Sequence, residues 1–156
     1  MTRAEILDTG QRWVRSARIT IDAPASEIFD VIRRPSMHSR FDGSGTVQGS
    51  VRGPERLELG SRFGMAMRIK VPYTMTNEVV EFEPDRLIAW RHIGRHRWRY
   101  ELEPISDTET LVTETFDGST AVYPPALKII NAYDNNEKAA AATLVRLKQL
   151  VESGSV

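Results

Sequence analysis

Cysteine is absent from the 156 residues, which excludes disulfides, thiolate metal ligands and a cysteine nucleophile, and agrees with a reducing compartment. Net charge is missing too. Twenty-one Lys and Arg balance twenty-one Asp and Glu, so no overall field draws the chain to nucleic acid or to an anionic surface. No segment approaches the ~20 consecutive apolar residues that span a bilayer, and the opening MTRAEILDTGQR lacks the apolar stretch of a signal peptide. A cytoplasmic protein with no integral membrane segment and no nucleic-acid partner is expected. Histidine is scarce, at three residues, and neither an H-E-x-x-H helix nor a cluster of carboxylates accompanies it, so no metal and no cofactor are expected. The glycines at 43 and 45 lack the spacing of a phosphate loop and read as a turn. No serine, histidine and acid can be joined into a nucleophilic triad from the sequence alone.

What is present is the composition of one folded domain: 40% hydrophobic and 27% charged residues predict a single unit over 1–156 with its core at about 12–152. The segment Trp13 to Asp22 alternates as a half-buried strand, with Trp13, Ala17, Ile19 and Ile21 on one face. Ala23-Pro24 leads into Ile28, Phe29 and Ile32 at helical spacing, and Pro35 ends that helix, with a second turn through Met37 and His38. A second strand at about 46–53 follows the turn Asp42-Gly43-Ser44-Gly45. The third strand alternates most sharply: Phe63, Met65, Met67 and Ile69 share one face, and Gly64, Ala66, Arg68 and Lys70 the other. Val71-Pro72-Tyr73 is expected to turn the chain into a fourth strand, Thr74 to Glu83. Its parity changes between Met75, Asn77, Val79 and Val80, Phe82, which predicts a bulge near 79–80.

The next hairpin specifies its own register. With Ile93-Gly94-Arg95 as a three-residue turn and Gly94 free to take positive φ, His92 faces His96, Trp90 faces Trp98 and Ile88 faces Tyr100. The arginines of R-H-I-G-R-H-R-W-R at 91–99 then fall on an acid-containing outer face, as a solvated strand surface and not an RNA contact. A seventh strand covers about Glu109 to Asp117. From Pro125 a helix of about 26 residues is expected, with Ile130, Tyr133, Ala140, Leu144, Leu147 and Val151 on one stripe and alanines at 139–142 allowing close approach.

This order, and the segments ITIDAPASEIFDVI at 19–32, VVEFEPDRLIAWR at 79–91 and RWRYELEP at 97–104, resembles the START-like or SRPBCC superfamily, which includes the birch-pollen-allergen type. FDGSGTV at 41–47 and RFGMAMR at 62–68 are similar to actinobacterial polyketide cyclase/dimerase proteins. The resemblance implies an α+β helix-grip fold: a seven-stranded curved antiparallel sheet around a long C-terminal helix, with one or two short helices between the first two strands and a cavity inside. It implies lipid, sterol or polyketide binding and, in some members, cyclisation or dehydration, but carries over no shared catalytic set.

The inner face so defined offers Phe63, Met65, Met67, Ile69, Tyr73, Met75, Asn77, Trp90, Trp98, Tyr100, Ile130 and Tyr133 as ligand-binding residues, since thioethers adapt to irregular apolar shapes and Trp and Tyr add one polar atom to a large apolar area. A packed core is the alternative. Asn77 or Glu78, whichever points inward, and Glu114 would supply polarity, and His92, His96 and Glu114 are the candidate acid and base groups of a catalytic version. The partner expected is a small hydrophobic molecule, with the protein as carrier, sensor or sequestering agent. A homodimer is left open.

Overall fold

The computed structural model describes residues 2–154; Met1, Ser155 and Val156, the ends of the expected domain, lie outside them. Eight strands, β1 (Glu5–Leu7), β2 (Val14–Ile21), β3 (Val47–Arg52), β4 (Arg62–Ile69), β5 (Val71–Glu83), β6 (Leu87–Arg91), β7 (Arg97–Ser106) and β8 (Glu109–Asp117), form one sheet in the order β1-β2-β8-β7-β6-β5-β4-β3. Every pairing is antiparallel. The class is the α+β helix grip expected, with one strand more. The addition is β1, three residues at the sheet edge whose register Glu5↔Arg18 is held by an Arg18–Glu5 ion pair of 2.7 Å; three residues are too short to show alternation.

Between β2 and β3 run α1 (Ala25–Ile32), a 3-10 turn (Pro35–Met37) and α2 (His38–Phe41). Ile28, Phe29 and Ile32 of α1 are fully buried. Arg34 turns extended, φ −102° and ψ 109°, because the residue before a proline is excluded from the helical region, so α1 ends there. The sheet curls over α4 (Ala132–Glu152), which packs chiefly on β2, β8 and α2. Leu144 and Leu147 are its fully buried anchors.

The hairpin of β6 and β7 has the expected register, Ile88↔Tyr100 and Trp90↔Trp98, but the positive φ belongs to Arg95 (64°), not Gly94. Arg95 N–H donates to the His92 carbonyl at 2.9 Å, and a Cβ on Gly94 would lie 2.7 Å from the His96 ring; this glycine provides space, not handedness. The bulge falls at Val80, skipped between Val79↔Trp90 and Glu81↔Ala89. Val71-Pro72-Tyr73 is not a turn. Ile69 pairs Val71 directly, with Lys70 at φ 65° making the reversal, and Pro72 sits in a part of β5 with no β6 partner, where a missing N–H costs no ladder bond.

The terminal helix is not continuous. A short α3 (Pro124–Ile129) is separated from α4 by Asn131 in the left-handed region, φ 57°. Asparagine takes that conformation more readily than most side chains. The phase therefore resets between Ile130 and Tyr133, and one stripe cannot contain both.

Candidate functional site: the cavity between sheet and helix

The curled sheet and α4 do not meet along their whole length. Between them lies a cavity of about 780 Å³, within the range of small-molecule sites. Its sheet wall follows directly from β-strand alternation. Phe63, Met65, Met67 and Ile69 of β4, Tyr73, Met75 and Asn77 of β5, and Trp90, Trp98 and Tyr100 of β6 and β7 all border it. Along β4 exposure rises from Phe63 (1%) and Met65 (3%) to Ile69 (57%), so this strand runs from the closed end to the mouth. On the other side stand Ala139, Ala140 and Ala142 of α4, whose small side chains leave the hollow its width.

The remaining sequence candidates divide. Ile130 lies at the mouth and is 67% exposed. Tyr133 is outside the cavity: its ring packs 5.3 Å from Trp13 and 5.7 Å from Phe116, and its hydroxyl donates to the Pro124 carbonyl at 2.8 Å. This follows from the phase reset at Asn131. His92 borders the cavity, while His96 does not; it is wedged edge-on behind His92, ring centroids 4.4 Å apart, and against Trp98 and Phe116. Burial lowers both imidazoles below 6.5, His96 to about 4, so both are neutral near pH 7. Asn77 is the inward member of its pair; Glu78 faces Arg62 and Arg91 on the outside. The outer face also holds Glu81, clamped by Arg97 at 2.7 Å and Arg99 at 2.8 Å.

Glu114 gives the cavity its polar pole. It stands opposite Tyr100 across β7 and β8, is 6% exposed, and its Oε1 accepts a hydrogen bond from the Tyr100 hydroxyl at 3.0 Å. Its Oε2 is buried with no hydrogen-bond partner among the described residues. Burial raises the carboxyl pKa well above 4.5, and the nearby Asp42 charge adds to this against the lowering effect of the Tyr100 hydrogen bond. The shift favours the protonated, uncharged form of the side chain. Tyr100 is also pushed upward, first by burial and then by Glu114, and keeps its proton.

Among the wall residues that the sequence did not single out are His38 and Asp42. His38 is buried, stacks on Trp90 with centroids 4.9 Å apart, and donates from Nε2 to the Ile32 carbonyl at 2.9 Å; burial lowers it to about 4. Asp42, at the end of α2, accepts from Ser44 Oγ at 2.6 Å. Both come from the short helices, which only tertiary packing carries over the sheet.

A sequence profile described as polyketide cyclase/dehydrase and lipid transport matches residues 12–152. The chain belongs to this family. An uncharacterised relative, Rv0088 of Mycobacterium tuberculosis, is 41% identical over 118 residues, which are 75% of this chain and 52% of that protein. The chain thus spans about half the length of the curated relatives it matches. Among solved structures, protein NE0264 from Nitrosomonas europaea superposes with a TM-score of 0.72 at 14% identity, covering 96% of this chain and 99% of that one. The Aha1 dimer from Colwellia psychrerythraea gives 0.61 at 17% identity, covering 92% and 98%. At such identities these structures share the fold alone. No helix among the described residues is long and apolar enough to cross a membrane. Nor do the described residues gather three or more His, Asp or Glu side chains to hold a metal ion.

Proposed function

We propose that this domain binds a small hydrophobic molecule, a polyketide, lipid or aromatic metabolite, between sheet and α4, and acts as a carrier, sensor or sequestering protein. The observation that carries the reading is the hollow itself: about 780 Å³ walled by Phe63, three methionines, Trp90 and Trp98. Flat aromatic faces and flexible thioethers suit a ligand whose affinity comes from apolar area, and the family description, cyclase/dehydrase and lipid transport, agrees with it. Native mass spectrometry of the purified protein, with solvent extraction and titration of polycyclic probes, tests this. One-to-one complexes are expected; a protein that is always empty and binds no probe overturns the reading.

One observation favours a second reading, a cyclase or dehydratase. A buried carboxyl pushed towards its protonated form, as Glu114 is, can protonate a leaving hydroxyl or a developing enolate, and the apolar walls would hold the chain folded for attack. His92 is a weaker candidate base, because its Nδ1 already accepts the Gly94 N–H at 3.3 Å. With a poly-β-keto mimic as substrate, this version expects turnover that falls about 100-fold or more in Glu114→Gln. Turnover unchanged in that variant and in the His92→Ala, His96→Ala double variant removes it.

A further inference from the structure

Exposed apolar residues occur singly on most protein surfaces, but here they gather. Of the ten large hydrophobics that stand exposed among the described residues, seven sit on three segments that the strand directions bring to one end of the molecule. The pairs Arg91↔Arg97, Arg97↔Asp117 and Val14↔Asp117 set the β6–β7 tip beside the end of β8 and the start of β2. Residues 71–77 of β5 run past the end of β6, so the β4–β5 reversal projects from that same end with Ile69 and Val71. Ile93 crowns the β6–β7 tip and is 91% exposed. The segment after β8 is fastened to this tip: Thr120 Oγ1 donates to the Arg95 carbonyl at 2.7 Å, and the Val122 N–H to the Gly94 carbonyl at 3.2 Å. It carries Val122 and Tyr123, then α3, which buries none of its residues and closes on Ile129, 86% exposed. Ile69 and Ile130 also border the cavity, so this end is its mouth.

The mouth is poor in acids as well. Residues 62–77, 91–100 and 118–133 contain no Asp or Glu. Their Arg68, Lys70, Arg95 and Lys128 are exposed and form no ion pair among the described residues. Of the nearest acids, Glu78 faces Arg62 and Arg91, Asp42 accepts from Ser44, Asp117 is buried, and Asp134 at the start of α4 is exposed. At the far end the turns carry Glu83 and Asp85 beside Arg86, and Asp107 and Glu109. The zero net charge of the chain thus conceals a positive, apolar mouth. A second copy brought to it by a two-fold axis would set these cations against their own kind.

We propose that this end docks on an anionic lipid surface, with Val71, Ile93 and Ile129 entering the headgroup layer and Lys70, Arg95 and Lys128 meeting the lipid phosphates. Interfacial binding of this kind draws on buried apolar area together with the attraction of cations to the surface. Docking stands on the patch alone; what it accomplishes, the passage of an apolar ligand between bilayer and cavity without crossing water, rests on the reading of the cavity as a binding site.

The absence of cysteine permits a site-specific test. Ile129→Cys and, as a reference at the far end, Ile105→Cys each carry one environment-sensitive fluorophore, and the intact protein is titrated with vesicles of phosphatidylcholine alone or mixed with phosphatidylglycerol. The label at 129 should shift to the blue on mixed vesicles, with an affinity at least about tenfold above that for phosphatidylcholine and falling as salt rises. The label at 105 should not respond. In vesicle co-sedimentation of unlabelled protein, the Lys70→Glu, Lys128→Glu double variant should bind at least about tenfold more weakly than wild type, the Val71→Ser, Ile93→Ser double variant should also weaken binding, and Ile105→Ser should leave it unchanged. Equal binding to both vesicle types, a label at 129 that stays in water, or mouth variants that bind like wild type would overturn the proposal and leave the cavity reading intact. Self-association lost in the same variants, without vesicle binding, assigns the mouth to a second copy and overturns it equally. Quenching of Trp90 and Trp98 by fluorenone in vesicle-free solution is the separate check on the cavity: failure there removes the cavity reading and the passage of ligand, whereas vesicle binding reports on docking by itself.

Discussion

Burial acts in opposite directions on two groups of the same cavity wall. His38 has its folded pKa at about 4 against an ordinary 6.5. Between these values the unfolded chain takes up a proton that the folded one refuses, so this contribution to stability is full above pH 6.5 and is lost as the pH falls towards 4. Its size is at most about 3 kcal/mol, and His96, also lowered to about 4, adds to the same slope. Glu114 runs the other way. Its folded pKa is raised above 4.5, so the folded state keeps a proton that the unfolded chain releases, and its contribution is full below pH 4.5 and declines as the pH rises. Urea unfolding from pH 4.5 to 8 separates the two. Glu114→Gln should be more stable than wild type at pH 7, with the difference shrinking towards pH 4.5. The variant should still lose stability below pH 6.5 through the histidines. A Glu114→Gln difference that does not vary with pH would mean that Glu114 is ionised in the folded protein.

At the scale of elements, the loop after α2 is fastened to α4 by the Arg146 guanidinium, which donates to the Asp42 carbonyl, and by a close approach at Gly43. The Gly43 N–H donates to Thr143 Oγ1 at 2.8 Å, and a Cβ there would lie 2.6 Å from Ala142 Cβ and 2.5 Å from the Thr143 backbone nitrogen. Gly43→Ala is expected to cost about 1–3 kcal/mol by overpacking, whereas Gly49→Ala, where a Cβ meets nothing within 4 Å, should stay within about 0.5 kcal/mol; chemical denaturation measures both. At the break between α3 and α4, Asn131→Gly should be tolerated and Asn131→Val should cost about 1–2 kcal/mol, because a β-branched side chain resists φ 57°. Equal stability of the two Asn131 variants would refute the left-handed junction. This break is also where the sequence was least legible. Apolar residues at 130, 133 and 140 continue a helical period across Asn131, and nothing in the pattern marks the one residue that resets it. The β6–β7 hairpin was legible for the opposite reason: its aromatics and arginines alternate without exception, so one register satisfies all of them. The bulge at Val80 was legible as a change of parity, while β1 and the reversal at Lys70 had too few residues to show any.

For the molecule as a whole, strand alternation reveals which side chains face inward but not whether they meet. The wall contributed by β4 and β5 could be read because period-two patterning fixes a face. His38 and Asp42 could not, since they arrive on short helices placed by packing rather than by period. Tyr133 was misplaced because a hydrophobic stripe does not say which of two clusters a ring will join; here it is the one with Phe116 and Trp13. Whether the inward residues enclose usable space is best tested through the methionines. Met65, Met67 and Met75 border the cavity, and Met37 is buried in the core away from it. With methionine methyl groups labelled with carbon-13, a titration with fluorenone should shift the Met65, Met67 and Met75 signals, give intermolecular proton contacts to them, and leave Met37 unmoved. Saturating fluorenone that perturbs none of the three would contradict a ligand-binding hollow between the sheet and α4.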